Sequence, residues 1–113
     1  MSLNLTILTG NLGSEPRFLT IPSTGRKKAS FSIATSRFVK AADGSRTQQT
    51  EWTPVVAWGR LAERVEKLLA KGVFVLVQGQ KRTRTYADGQ GVEHTIVKLV
   101  ADDIRLLTRK TGN

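Results

Sequence analysis

Four of the seven aromatic residues of this chain stand among cations. Phe38 lies between Arg37 and Lys40, and Tyr86 closes the run Lys81-Arg82-Thr83-Arg84-Thr85-Tyr86. Trp52 and Trp58 are six residues apart, with Arg60 just beyond the second. A planar ring beside a fixed positive charge suits one kind of ligand, because bases stack on the ring while phosphates sit against Arg and Lys. Single-stranded nucleic acid supplies both. Duplex readout is less natural, since no segment reads as a helix with a basic face for the major groove.

Catalytic chemistry finds little to use. Nucleophile–base arrangements need a histidine or equivalent base oriented by a third group, and His94 stands alone in a strand-like segment. It reads as a structural or surface residue. Asp102 and Asp103 are adjacent, but neighbouring strand residues point to opposite faces, which makes a poor metal pair. Gly10-Asn11-Leu12-Gly13 lacks the Gly-Lys-Ser/Thr of a phosphate loop and reads as a turn. With no cysteine, a disulfide scaffold, a thiolate zinc site and a thiol nucleophile are all excluded. No metal, no cofactor and no enzymatic activity are expected.

Composition agrees with a polyanionic partner. Eighteen Lys and Arg against nine Asp and Glu leave a net charge of +9 over 113 residues, with 39% apolar residues. That is one globular domain, not a disordered basic tail. No apolar run approaches the ~20 residues that span a bilayer. Met1-Ser2-Leu3-Asn4 has neither a basic nor an apolar leader segment, so a cytoplasmic location is expected.

The elements that must position these rings are mostly strands. Leu3–Gly10 is β-branched and apolar, Arg17–Ile21 is a short extended piece, and Ala29–Arg37 alternates cleanly. Residues Lys40 to Thr50 read as an exposed loop with Asp43-Gly44 at its tip. Glu51–Trp58 returns to strand, placing both tryptophans on one face about 20 Å apart at ~3.3 Å per residue. The opposite face, Thr53, Val55 and Ala57, is small enough for the crowded interior of a narrow barrel, which points the tryptophans outward. Their burial as core residues is the alternative. Leu61, Val65, Leu68 and Leu69 recur at helical spacing, predicting a helix over Leu61–Lys71 capped by Gly72 and supported by a Glu63–Lys67 pair.

Val73–Gln78 is apolar on both faces, and Lys81–Tyr86 continues it with Arg82, Arg84 and Tyr86 on one side. Asp88-Gly89-Gln90-Gly91 makes a hairpin turn, Val92–Ala101 returns, and Ile104–Leu107 adds a last short strand. Phe31 and Phe74 read as core, and Phe18 as packing. The predicted class is mainly β, a five-stranded Greek-key barrel with one α-helix between strands 3 and 4.

These residues also carry a family resemblance. Leu8-Thr9-Gly10-Asn11-Leu12-Gly13 with Glu15-Pro16 comes first, then Phe31-Ser32-Ile33-Ala34-Thr35-Ser36. Thr50-Glu51-Trp52 and Val55-Val56-Ala57-Trp58-Gly59-Arg60-Leu61-Ala62-Glu63 follow, and then Gly79-Gln80-Lys81-Arg82-Thr83-Arg84 with Tyr86. In this order the chain resembles the bacterial single-stranded DNA-binding proteins from Asn4 to about Leu107. The resemblance implies an OB-fold domain over residues 1–107 and a homotetramer, a dimer of dimers. It further implies sequence-independent binding of single-stranded DNA in replication, recombination and repair, near the bacterial nucleoid.

The family's stacking positions fall on Phe38, Trp52, Trp58 and Tyr86. Phosphate contacts are expected from Arg37, Lys40, Arg60, Lys81, Arg82 and Arg84. Pro54 and Leu19 depart from the family, which often has a polar or basic residue and an arginine there. Residues 108–113 read as a short polar end with no carboxylate after Asp103. Recruitment of other enzymes through the family's acidic tail is therefore not expected. A replication-restart accessory protein, an RNA-binding OB domain and an OB-fold nuclease are the rival readings.

Overall fold

The computed structural model describes residues 2–108. Its elements run β1 (Thr6–Leu12), β2 (Arg17–Thr20), β3 (Lys27–Lys40), β4 (Arg46–Trp58), α1 (Arg60–Leu68), β5 (Phe74–Ala87) and β6 (Glu93–Leu106). Five strands close into a barrel. β1 pairs with β5, β5 with β6, β6 with β4 in parallel, β4 with β3, and β3 back onto β1. The short β2 lies outside the ring on β3. Counting barrel strands alone, the helix falls between the third and fourth, as the sequence predicts.

Alternation decides what fills the barrel. Ala29, Phe31 and Ile33 of β3, Val55 and Ala57 of β4, Val75 and Val77 of β5 and Leu99 of β6 point inward and form one buried cluster. Ala62 and Val65 of the helix complete it. Phe74 is only half-buried, and Phe18, on the edge strand, is 38% exposed under the Lys27 ammonium. A single outer strand leaves Phe18 too little surface to pack beneath.

Four element boundaries differ from expectation. Gly10, Asn11 and Leu12, read as part of a turn, are the end of β1, where Gly10 and Asn11 pair with β5 and Asn11 and Leu12 with β3. The segment from Lys40 to Thr50 is mostly strand: β3 and β4 stay paired out to Lys40↔Arg46, and only five residues, 41–45, turn the chain. Every side chain from Ser36 to Glu51 is exposed, so this two-stranded arm has no apolar period to betray it. The helix ends at Leu68, because Leu69 is already extended (φ −103°, ψ 144°) and inserts its side chain into the core. Its ion pairs among the described residues are Lys27–Glu66 and Arg64–Asp103.

The two strands expected over Val92–Leu107 are one, interrupted by a bulge. Gln78 pairs with Asp103 but Gly79 with Ala101, which leaves Asp102 unpaired. The extra residue brings Ala101 and Ile104, three apart, to the same buried side. Gly79 permits it, since a Cβ there would sit 2.1 Å from the Val100 carbonyl oxygen. Of the polar end expected over 108–113, Thr108 bonds to Phe74 through its N–H and its hydroxyl oxygen. Residues 109–113 lie outside the described residues.

Candidate nucleic-acid interface

Because odd residues of β3 and β4 fill the core, even residues face out. The ladder pairs Lys28 with Trp58, Ser30 with Val56, Ser32 with Pro54, Ala34 with Trp52 and Phe38 with Gln48. Trp58, Trp52 and Phe38 thus lie on one outer face, and both tryptophans point away from the core. Along β5 and β6 the outer pairs are Arg82–Lys98, Arg84–Ile96 and Tyr86–His94. The parallel register Val56↔Val100 sets this second row beside β4.

Between the two rows runs a groove of about 350 Å³. Val56, Ile96 and Val100 form its apolar floor, Trp58 and Tyr86 its rings, and Lys28, Arg82, Arg84 and Lys98 its cations. No carboxylate lines it. Trp58 is held by two cation–π contacts, from the Arg26 guanidinium at 4.9 Å and the Lys28 ammonium at 5.6 Å. Four positive charges facing two half-covered rings make a surface for bases and phosphates together.

The same face continues past Val56 and Lys98 into a more polar hollow lined by Ser14, Arg17, Ser30, Ser32, Pro54 and one carboxylate, Glu15, whose Oε1 accepts from the Lys71 N–H. Pro54, which lacks a backbone donor, stands where the β4–β6 ladder stops. Lys98 lines the same hollow and supplies a cation beside the position Pro54 leaves uncharged. Farther on, Trp52 is 57% exposed and lies over Gly13, where a Cβ would meet the ring at 2.0 Å. Phe38, on the arm, is 67% exposed.

The predicted site residues are not all on this face. Trp58, Tyr86, Arg82 and Arg84 meet in the groove, and Lys40 shares the Phe38 side of the arm by alternation. Arg37 falls on the opposite side and donates to the Gln49 side-chain oxygen at 3.3 Å. Lys81 is likewise on the odd face, with its backbone bonded to the Asn4 side chain. Arg60 opens the helix.

Sequence reasoning missed Arg26, Lys28, Ile96, Lys98 and Gly13. The run Arg26-Lys27-Lys28 was a visible signal, and alternation along the last strand marks Lys98 and Ile96 with His94. What was missing was which strands are neighbours.

The hairpin tips are held by aspartates. Asp43 Oδ1 accepts from the Ser45 hydroxyl and the Ser45 N–H, and these bonds hold its carboxyl below the usual value. Asp88 is held low too, first by its bond with the His94 ring, then by the N–H groups of Val92 and Gln90.

A closed five-stranded barrel with one helix between its third and fourth strands is an OB-fold, a class whose sheet face commonly carries the ligand. The chain belongs to the single-strand binding protein family, whose model matches residues 3–107. It is 34% identical over 113 residues to a single-stranded DNA-binding protein of Neisseria meningitidis serogroup A, covering all of this chain and 64% of that protein. A Bacteroides thetaiotaomicron single-stranded DNA-binding protein is 38% identical over 115 residues, with 71% of its length covered. The chain thus spans about two-thirds of the length of these relatives. Among solved structures, the Plasmodium falciparum SSB complex with ssDNA superposes with a TM-score of 0.87 at 28% identity, over 96% of this chain and 97% of that one.

Proposed function

We propose that this chain binds single-stranded DNA without sequence preference and keeps it extended during replication, recombination and repair. Its role is binding and protection in the cytoplasm, not catalysis. One observation carries the reading: Trp58 and Tyr86 share a groove with Lys28, Arg82, Arg84 and Lys98, and the same face leads on to Trp52 and Phe38. Rings, cations and aliphatic side chains make up the groove apart from Thr83, so stacking and charge dominate there. The names of the relatives, and the neighbour bound to ssDNA, support the same conclusion.

A homotetramer is part of the proposal. Leu3, Leu5 and Ile7 are 88%, 51% and 53% exposed, and Phe74 and Leu76 beside β1 are half-buried. Such a row is too apolar to be left in water. Sedimentation with and without oligo-dT tests assembly and ligand together: a tetramer that takes up oligo-dT, and not a duplex of equal length, is expected. A monomer would overturn the assembly, and equal uptake of duplex would overturn the ligand.

A further inference from the structure

The outer face of β3 and β4 leaves a gap between its two tryptophans. The rungs Lys28–Trp58 and Ala34–Trp52 are six residues apart along the ladder, ~20 Å at ~3.3 Å per residue. The outward rungs between them, Ser30–Val56 and Ser32–Pro54, carry no ring. The polar hollow lies over these two rungs, and its volume of about 340 Å³ nearly equals that of the groove.

Two cations reach the hollow from opposite sides. Arg17, the first residue of β2, is exposed and pairs with Ser30 at the edge of the sheet. Lys98 of β6 comes from the other side. The parallel register Val55↔Leu99 and Val56↔Val100, carried back two residues, sets it beside Pro54. Lys98 is the one cation that lines both the groove and the hollow.

That placement is unfavourable in the bare protein. Lys98 is half-buried and stands directly across the ladder from Arg82, and like charges so placed repel. Among the described residues, none of Lys98, Arg82 and Arg17 takes part in an ion pair. The carboxylate of the hollow, Glu15, is tied through Oε1 to the Lys71 N–H at 3.1 Å. A bound anion would relieve the repulsion and gain charge-assisted bonds.

We propose that the hollow is a phosphate subsite of the strand's path, in which Lys98 and Arg17 hold the backbone as it crosses from Trp58 to Trp52. Its ligand is the phosphodiester of single-stranded DNA, with the Ser30 and Ser32 hydroxyls as further donors. Stacking works at the two ends of the crossing and charge in the middle. The inference deepens the function proposed above and rests on it.

The test measures the affinity for a labelled oligo-dT by anisotropy at several salt concentrations, for the wild type, Lys98→Gln, Arg17→Gln and the double variant. At ~0.7 per phosphate contact, each single variant should reduce the slope of log affinity against log salt by about 0.7 and the double variant by about 1.4. Each lost contact weakens binding about fivefold in ~0.1 M salt. Lys98→Arg should keep the wild-type slope. In urea, Lys98→Gln should unfold at the wild-type midpoint or above it, because a like-charge pair is gone. Since Lys98 also lines the groove, Arg17→Gln decides whether the hollow takes part, and it carries the comparison should Lys98→Gln fail to fold. A wild-type slope in folded Arg17→Gln or Lys98→Gln would overturn the inference alone. A wild type that does not bind oligo-dT would overturn the functional reading and the inference with it.

Discussion

Gly13→Ala separates binding from folding more sharply than removal of an aromatic would. A methyl at Gly13 would lie 2.0 Å from Trp52 Cζ3, 2.6 Å from Cη2 and 3.1 Å from Cε3. Carbon atoms rest at roughly 3.5–4.0 Å, so ring and methyl must part by about 1.5–2 Å. The backbone is the stiffer side of that contact. Gly13 donates its N–H to the Ser32 carbonyl at 3.2 Å, and its neighbour Leu12 is buried in the core. Trp52 is 57% exposed and can swing away. Gly13 is not among the residues with positive φ, so alanine meets no backbone penalty there.

A platform displaced by that much loses part of one base's stacking, which is ~1–3 kcal/mol in full. The loss expected is about 1 kcal/mol, a roughly fivefold weaker Kd. Thermal stability should hold or rise slightly, since alanine narrows the unfolded ensemble by ~0.4–1 kcal/mol. Anisotropy titration with oligo-dT and a melting curve read the two quantities, and in a Trp52→Ala background the Gly13→Ala effect on binding should vanish. Unchanged binding by a folded Gly13→Ala protein, or an equal loss without Trp52, would refute the reasoning.

Other outcomes follow from the same geometry. Arg82→Ala with Arg84→Ala should reduce the slope of log affinity against log salt by about 1.4, at ~0.7 per lost phosphate contact; a salt titration with an unchanged slope would place the phosphates elsewhere. Leu99→Ala removes a fully buried side chain from β6, where it closes against β4, and should cost roughly 2–5 kcal/mol in urea unfolding. The carboxyls of Asp43 and Asp88 are depressed, so the support they give the two turns is present above the ordinary value of 3.8 and lost as pH falls through their folded values. Amide shifts of Ser45, Gln90 and Val92 followed by NMR should titrate below 3.8, and those of Gln90 and Val92 should stop doing so in Asp88→Asn.

The outward tryptophans were legible because their strand alternates bulky and small residues, and only the small set fits inside a barrel this narrow. The helix was legible from one apolar stripe, although Leu69 kept its buried position after the helix had ended. The β3–β4 arm was not legible, since a ribbon wet on both faces is held mainly by backbone pairing and needs no apolar alternation. The continuity of β6 through Asp102 was hidden for a related reason: a bulge disrupts the alternation that identifies a strand, so one strand reads as two. Lys98 and Gly13 join the site through contacts with distant segments. Alternation within one strand says which face a residue takes, not which strand lies next to it. That is why the sequence alone marks Arg82 and Arg84, beside Tyr86 on their own strand, but not Lys28 and Lys98.

In the proposed function, bases stack on the aromatic face while phosphates meet its cations. Quenching of tryptophan fluorescence by oligo-dT, titrated at several salt concentrations, tests it most directly. Strong, saturable quenching is expected, reduced in both Trp52→Ala and Trp58→Ala, with log affinity falling linearly as log salt rises. Binding that leaves the fluorescence unchanged would contradict it, because the strand would then be held by charge alone.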